Sequence, residues 1–195
     1  MNETRRRGRP RSFDTDAILD AMAPVFLTHG LAEATLARLE AATGLRRQSL
    51  AYAFEDKTGA YLAALSRYAD RRVTAVEAAL AEDGLAGLAD LWVADLARAE
   101  APGCLLVAAT SDPEALRVGA MDQVLARAQW RLLRRLAGAV AAGQGDGTVA
   151  PGRPVVMGRG LLALGDGLMA QAGRPGLARV AERVLRDHLT RVTLS

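Results

Sequence analysis

Four adjacent residues, Arg46-Arg47-Gln48-Ser49, follow the glycine at position 44 and precede apolar positions at Leu50 and Phe54. Their side chains suit planar hydrogen-bonding edges. Arginine binds O6 and N7 of guanine in a bidentate way, and glutamine does the same for N6 and N7 of adenine. Tyr52 stands one turn after Ser49 on the outward side of a helix through this segment, and Lys57 opens the next element, placed for a phosphate. A second set of cations lies at the amino end, where RRRGRPR, Arg5 to Arg11, holds five arginines in seven residues. Such a block repels itself and stays solvated, so it reads either as a plain tail or as an arm that grips nucleic acid. Within it, RGRP (Arg7 to Pro10) has the composition of a minor-groove insert. Glycine permits close approach of the backbone, and a narrow A·T groove attracts arginine. Arg5, Arg7, Arg9 and Arg11 are the candidate contacts of the arm.

No comparable pattern points to catalysis. The body carries no Ser-His-Asp set, no paired carboxylates and no His or Cys cluster at metal-ligand spacing, so neither an enzyme nor a metal or cofactor is expected. His29 and His188 are far apart in sequence. The single cysteine, Cys104, excludes an internal disulfide framework and fits a reducing cytosol. At the start of an apolar helix it reads as a buried, inert thiol, with a thiol sensor as the alternative. No apolar run approaches the roughly 20 residues that span a bilayer, and the basic start lacks the apolar stretch of a secretory signal. The expected location is therefore cytoplasmic, with no membrane partner. The formal net charge is +3 and the pI about 9.6, which permits a polyanionic partner without requiring one.

The elements that must position these side chains are helices. Half of the 195 residues are hydrophobic and 4% are aromatic; apolar positions recur at helical spacing almost throughout, with no strand-like alternation. The first helix starts near Asp14, where DTD offers cap candidates and negative charge. It turns Ile18, Met22, Val25 and Phe26 inward and stops at His29–Gly30. Thr35 caps a second helix that carries Leu36, Leu39 and Ala42 inward and stops at Gly44. A short third helix runs over 46–54. Further helices are expected at 56–82, 85–99, 102–110, 113–142, 153–172 and 175–191, with 143–149 the clearest loop. The fold expected is all-α, about nine helices, in three parts: an arm over 1–12, a head over 13–57 and a body over 58–195.

Two short helices joined at Thr43–Gly44–Leu45 have helix-turn-helix spacing, and the second helix of such a unit enters the major groove with its N-terminal residues on base edges. In this context residues 9–65 resemble the DNA-binding head of the TetR repressor family. The resemblance rests on GRPRSFD (Gly8–Asp14), APVFLTHG (Ala23–Gly30), ATL (Ala34–Leu36), AATGLRRQSL (Ala41–Leu50) and AFEDK (Ala53–Lys57). GCLLVAA (Gly103–Ala109) resembles a phrase from the body of one branch. The resemblance implies a three-helix head that binds a palindromic operator through Thr35, Arg46, Arg47, Gln48, Ser49, Tyr52 and Lys57. It also implies a body that forms a homodimer and holds a small apolar or amphipathic effector. Two positions depart from the family pattern. Ala51 stands where a tyrosine usually meets a phosphate, with Tyr52 beside it, and Arg46 stands where Ser or Asn usually caps the recognition helix.

In the body, Met157, Leu161, Leu164 and Leu168 form one apolar stripe, and Leu177, Val180 and Val184 another. Gly158 and Gly165, and likewise Gly160 and Gly167, lie seven apart, which suggests the close approach of another helix. Together with the resemblance, these residues are the expected dimer interface. Tyr68, Leu88, Trp92, Leu96, Met121, Leu125 and Trp130 are the candidate effector-pocket residues, with plain core as the alternative. The reading is a DNA-binding regulator, a repressor released by an effector. The alternative is a ligand-independent architectural DNA binder.

Overall fold

The structure, a computed structural model of the chain, describes residues 14–98 and 103–192, with side chains described through Leu189. The arm cations Arg5, Arg7, Arg9 and Arg11 lie outside the described residues. The elements are α1 (Thr15–Glu33), α2 (Leu36–Thr43), α3 (Arg47–Phe54), α4 (Lys57–Arg98), α5 (Leu105–Ala109), a 3-10 turn (Ala115–Arg117), α6 (Met121–Gly145), α7 (Pro154–Met169) and α8 (Leu177–Val192). The fold is all-α, with eight α-helices among the described residues. The expected break near residue 84 is a kink rather than an end. Asp83 (φ −147°, ψ 38°) and Gly84 (φ 52°, ψ −134°) leave helical geometry and the helix then resumes, so counting the two arms of α4 separately restores nine.

Two expected boundaries were wrong. The helix expected over 113–142 is a 3-10 turn followed, after Gly119–Ala120, by α6. Val118 leaves the turn in extended geometry (φ −81°, ψ 112°), which interrupts a continuous helix. The loop expected over 143–149 starts late, because α6 continues to Gly145. Gly143 is buried in its last turns, where the Val149 N–H donates to the Gly143 carbonyl at 2.8 Å. A Cβ on Gly143 would stand 2.4 Å from Cγ2 of Val149, so this glycine serves close packing and not a turn.

The first three helices fall near their expected places, except that α1 resumes after Gly30 to Glu33 and Ala42, expected inward, is exposed on the short α2. The Asp14 carboxylate caps α1, accepting from the N–H groups of Asp16 (3.0 Å) and Ala17 (3.3 Å). Gly30, at φ 66° and ψ −179°, breaks the helical path in a region open almost only to glycine. One more turn leads to Ala34. Ile18, Leu19, Met22 and Phe26 are buried, and the Phe26 ring meets the edge of Tyr61 on α4, centroids 4.9 Å apart. From there α4 runs into the body, burying Ala64, Leu65, Ala69, Val73 and Val76, then Leu85, Leu88, Trp92 and Leu96 beyond the kink. It packs on α1 in the head and on α6 and α8 in the body.

Beyond this shared core, one carboxylate ties body to head. Asp112, between α5 and the 3-10 turn, accepts from the Leu31 N–H at 2.6 Å through Oδ2, across 81 residues. Its Oδ1 accepts from the N–H groups of Glu114 (3.0 Å) and Ala115 (3.2 Å). A Cβ on Gly30 would lie 2.9 Å from Oδ2, so glycine at the elbow is what lets this carboxylate approach. Asp112→Ala strands backbone donors in a partly buried site, and the cost expected is about 1–3 kcal/mol. Urea unfolding checks this; an unchanged midpoint contradicts it.

Candidate nucleic-acid interface

The turn between α2 and α3 is built by Thr43, Gly44 and Leu45. Gly44 adopts the left-handed conformation (φ 68°, ψ 4°) and its N–H donates to the Glu40 carbonyl at 2.9 Å, closing α2. The Thr43 hydroxyl donates to the Leu39 carbonyl (2.7 Å) and accepts from the Leu45 N–H (3.2 Å). Leu45 then packs against the core, which holds Leu39 and Leu50. Because Leu50 is the one buried residue of α3, the helix is pinned by a single face and shows the rest to solvent. Arg46, Arg47 and Gln48 are exposed and Ser49 is half-buried. Tyr52 is 91% exposed, an expensive placement for an aromatic side chain with no partner. Gln48 and Tyr52, four apart, lie opposite Leu50.

Three expected contacts have structural duties as well. The Thr35 hydroxyl caps α2, accepting from the Arg38 N–H at 3.3 Å. The Lys57 ammonium is not held out for a phosphate: it donates to the Ala32 carbonyl at 2.9 Å and closes the end of α1 onto the start of α4. Arg46 occupies the cap position of α3 without a side-chain cap of its own. The cap comes instead from Glu40, whose Oε1 accepts from the Arg47 N–H at 2.6 Å. Glu40 was missed at the sequence level; a carboxylate seven residues before a helix's first N–H is no standard signature.

No family model matches the chain. The HTH-type transcriptional repressor ComR of Escherichia coli strain K12 is 43% identical over 74 residues, covering 38% of this chain and 35% of that protein; the match thus spans about a third of the relative's length. A solved structure of the TetR-family regulator CifR, a cysteine mutant complexed with 26-base-pair operator DNA, superposes with a TM-score of 0.71 at 29% identity, covering 91% of this chain and 98% of that one. A TetR-family regulator from Agrobacterium tumefaciens superposes with a TM-score of 0.79 at 20% identity, covering 92% and 97%. In fold and in head sequence, the chain is similar to TetR-family regulators.

The body departs from several expectations. Leu161 and Leu168 are buried within the protomer, and Met157, Leu164 and Leu177 are partly buried against the same core. They are therefore not an exposed interface. The two glycine pairs face opposite ways. A Cβ on Gly158 would stand 2.8 Å from the Ala137 backbone nitrogen and one on Gly165 would stand 2.7 Å from the Trp92 ring, whereas Gly160 and Gly167 face open space. The exposed side of α7 runs through Val156, Gly160, Ala163 and Gly167, and α8 exposes Val180 and Val184. The apolar stripe of α7 thus faces the protomer's own core.

Of the candidate pocket residues, Trp92 lines an internal cavity between α4, α5, α6 and α7, together with Arg72, Cys104, Leu106, Leu136 and Asp166. Leu88, Leu96, Met121 and Leu125 are buried core residues that do not line it. Trp130 is 56% exposed under the Arg134 guanidinium, 4.7 Å from its ring centroid, and is no pocket residue. Tyr68 sits beside Cys104; burial, with a contribution from that thiol, pushes its hydroxyl well above the usual tyrosine range. The cavity measures about 20 Å³, room for roughly one water. Its polar rim went unseen in the sequence. Arg72 pairs with Asp95 inside the same α4, across the kink. Asp166, on α7, is held above the ordinary carboxylate range by burial, partly offset by Arg72.

A raised folded-state pKa means that Asp166 costs stability once it ionises and none when protonated. Asp166→Asn therefore raises the melting temperature at pH 7, and the gain shrinks as pH falls towards the ordinary aspartate range. Calorimetry at the two pH values checks the sign; a gain that grows on acidification contradicts it.

Proposed function

We propose that the chain is a homodimeric, sequence-specific DNA-binding transcriptional regulator, a repressor released from its operator by a small-molecule effector in the cytoplasm. The observation that carries this reading is the outward face of α3. Arg47, Gln48 and Tyr52 are held in solvent by a helix whose only buried anchor is Leu50. In this reading residues 13–57 form the DNA-binding head and residues 58–195 the effector-binding and dimerising body. Arg46, Arg47, Gln48 and Ser49 meet base edges at the N-terminal end of a groove-bound helix, and Tyr52 takes the phosphate contact that Ala51 cannot make. Thr35 stands at the neighbouring helix start. Lys57 contributes by fixing α1 to α4 before it contributes charge. The arm cations Arg5, Arg7, Arg9 and Arg11 follow the adjacent backbone or minor groove. The operator-bound CifR structure supports this assignment by its likeness in fold.

The second copy is expected on the exposed α7–α8 face, through Val156, Gly160, Ala163, Gly167, Val180 and Val184. Small residues there let two helices approach closely. An effector of apolar or amphipathic character is expected at the Trp92–Arg72–Asp166 cavity. At about 20 Å³, the cavity must widen to admit one, and widening it displaces α4, which carries the head. The reading requires no catalytic group.

Three experiments test this. Arg47→Ala should lose about 1–3 kcal/mol on a site selected by the wild-type chain and far less on random DNA; equal losses would reduce Arg47 to a phosphate contact. Val180→Glu should yield monomers that fold but bind that site weakly, as read by light scattering and band-shift titration, because a partnerless charge in a dimer seam is costly. A dimer that persists would place the seam elsewhere. Deleting residues 1–11 should flatten the salt dependence of binding, at about 0.9 of log–log slope per phosphate contact removed. An unchanged slope would leave the arm a solvated tail.

A further inference from the structure

We infer that Glu40 is a positioning residue for base reading: its side chain caps the recognition helix from the preceding helix and so sets the register of Arg47 and Gln48. The inference rests on the DNA-binding role proposed for α3 and goes beyond it. An α-helix leaves its first N–H groups without intrahelical partners, and an eight-residue helix with one buried side chain has little else to hold its first turn. The residue at its cap position, Arg46, makes no side-chain cap, and an arginine has no acceptor with which to make one. Glu40 supplies what is missing. Its carbonyl accepts from the Gly44 N–H at 2.9 Å and closes α2, while its carboxylate accepts from the Arg47 N–H at 2.6 Å and opens α3. One residue thus fixes both sides of the turn. A carboxylate at a helix N-terminus also offsets the positive end of the helix dipole.

The location makes this a specificity device rather than an affinity device. Glu40 places a negative charge beside the surface that would face phosphates, so on electrostatic grounds alone it opposes DNA binding. Its place there is explained by order: the capped Arg47 is the residue whose side chain would meet a base. Cap and charge can be separated by substitution. Glu40→Gln keeps an oxygen acceptor for the Arg47 N–H and discards the charge; Glu40→Ala discards both.

The test uses the full-length chain and two duplexes, one selected from random sequence by the wild-type protein and one scrambled. Glu40→Ala should bind the scrambled duplex as well as wild type or better, yet lose about three- to tenfold in its preference for the selected duplex, as expected for the loss of a cap. Glu40→Gln should bind both duplexes more tightly and keep most of the preference. Amide hydrogen exchange in the free protein reads the cap without DNA: protection at Arg47 should fall in Glu40→Ala and persist in Glu40→Gln. Preference unchanged in Glu40→Ala, or lost equally in Glu40→Gln, overturns the inference, and so does exchange at Arg47 that ignores both substitutions. A wild-type chain that prefers no sequence overturns the DNA-reading role of α3 and this role for Glu40 with it, while a protected, Glu40-dependent Arg47 amide in that same chain would show that the cap itself is sound.

Discussion

The constraint on which the structure depends is the burial of one continuous face of α4. Ala60, Tyr61, Ala64 and Leu65 pack in the head, and Ala69, Val73, Val76, Leu88, Trp92 and Leu96 pack in the body. At about 25 cal/mol per Å² of apolar surface removed from water, such a face outweighs every surface ion pair in the molecule. The Arg67 contacts to Asp16 and Asp20 are partly exposed and each contributes a fraction of a kcal/mol. A helix held this way behaves as a lever. The head cannot rotate without disturbing the packing of Phe26 on Tyr61, and the body cannot open around Trp92 without moving the far arm of the same helix.

Two polar contacts refine that lever. Asp112 pins the Gly30–Leu31 elbow of α1 to the loop that follows α5, close in sequence to the Cys104–Leu106 wall of the cavity. Lys57 pins the end of α1 to the start of α4. A change at the cavity wall thus has a short covalent and hydrogen-bonded path to the elbow, in addition to the α4 route. The kink at Asp83–Gly84 divides α4, the Arg72–Asp95 ion pair bridges the two arms, and both arms border the cavity, through Arg72 and Val76 on one and Trp92 on the other.

Much of this was legible in the sequence, for physical reasons that differ by element. The head was readable because its signals are local: Asp14 and Thr35 as caps, Gly30 and Gly44 as stops, and apolar positions at helical spacing. The α7 stripe was readable in period but not in phase. Two apolar faces with similar glycine spacing cannot be told apart until it is known which meets α6 and Trp92, so Leu161 and Leu168 were assigned outward when they point in. Trp130, a candidate pocket residue by sequence, lies exposed under Arg134, one turn along the same helix. Glu40 and Asp112 were invisible because each acts across a turn or across 81 residues, where no sequence periodicity reports. The Arg72–Asp166 rim of the cavity was missed for the same reason.

The central claim is that α3 is held rigid and bare in order to read a defined, two-fold symmetric DNA sequence. Selection of duplexes from a random-sequence library by the full-length chain, followed by the mass of the complex with the recovered site, tests it most directly. The account predicts enrichment of an inverted repeat bound by two copies of the chain or a multiple of two. Recovery of unenriched DNA, bound with an affinity that depends on salt and not on sequence, would contradict it.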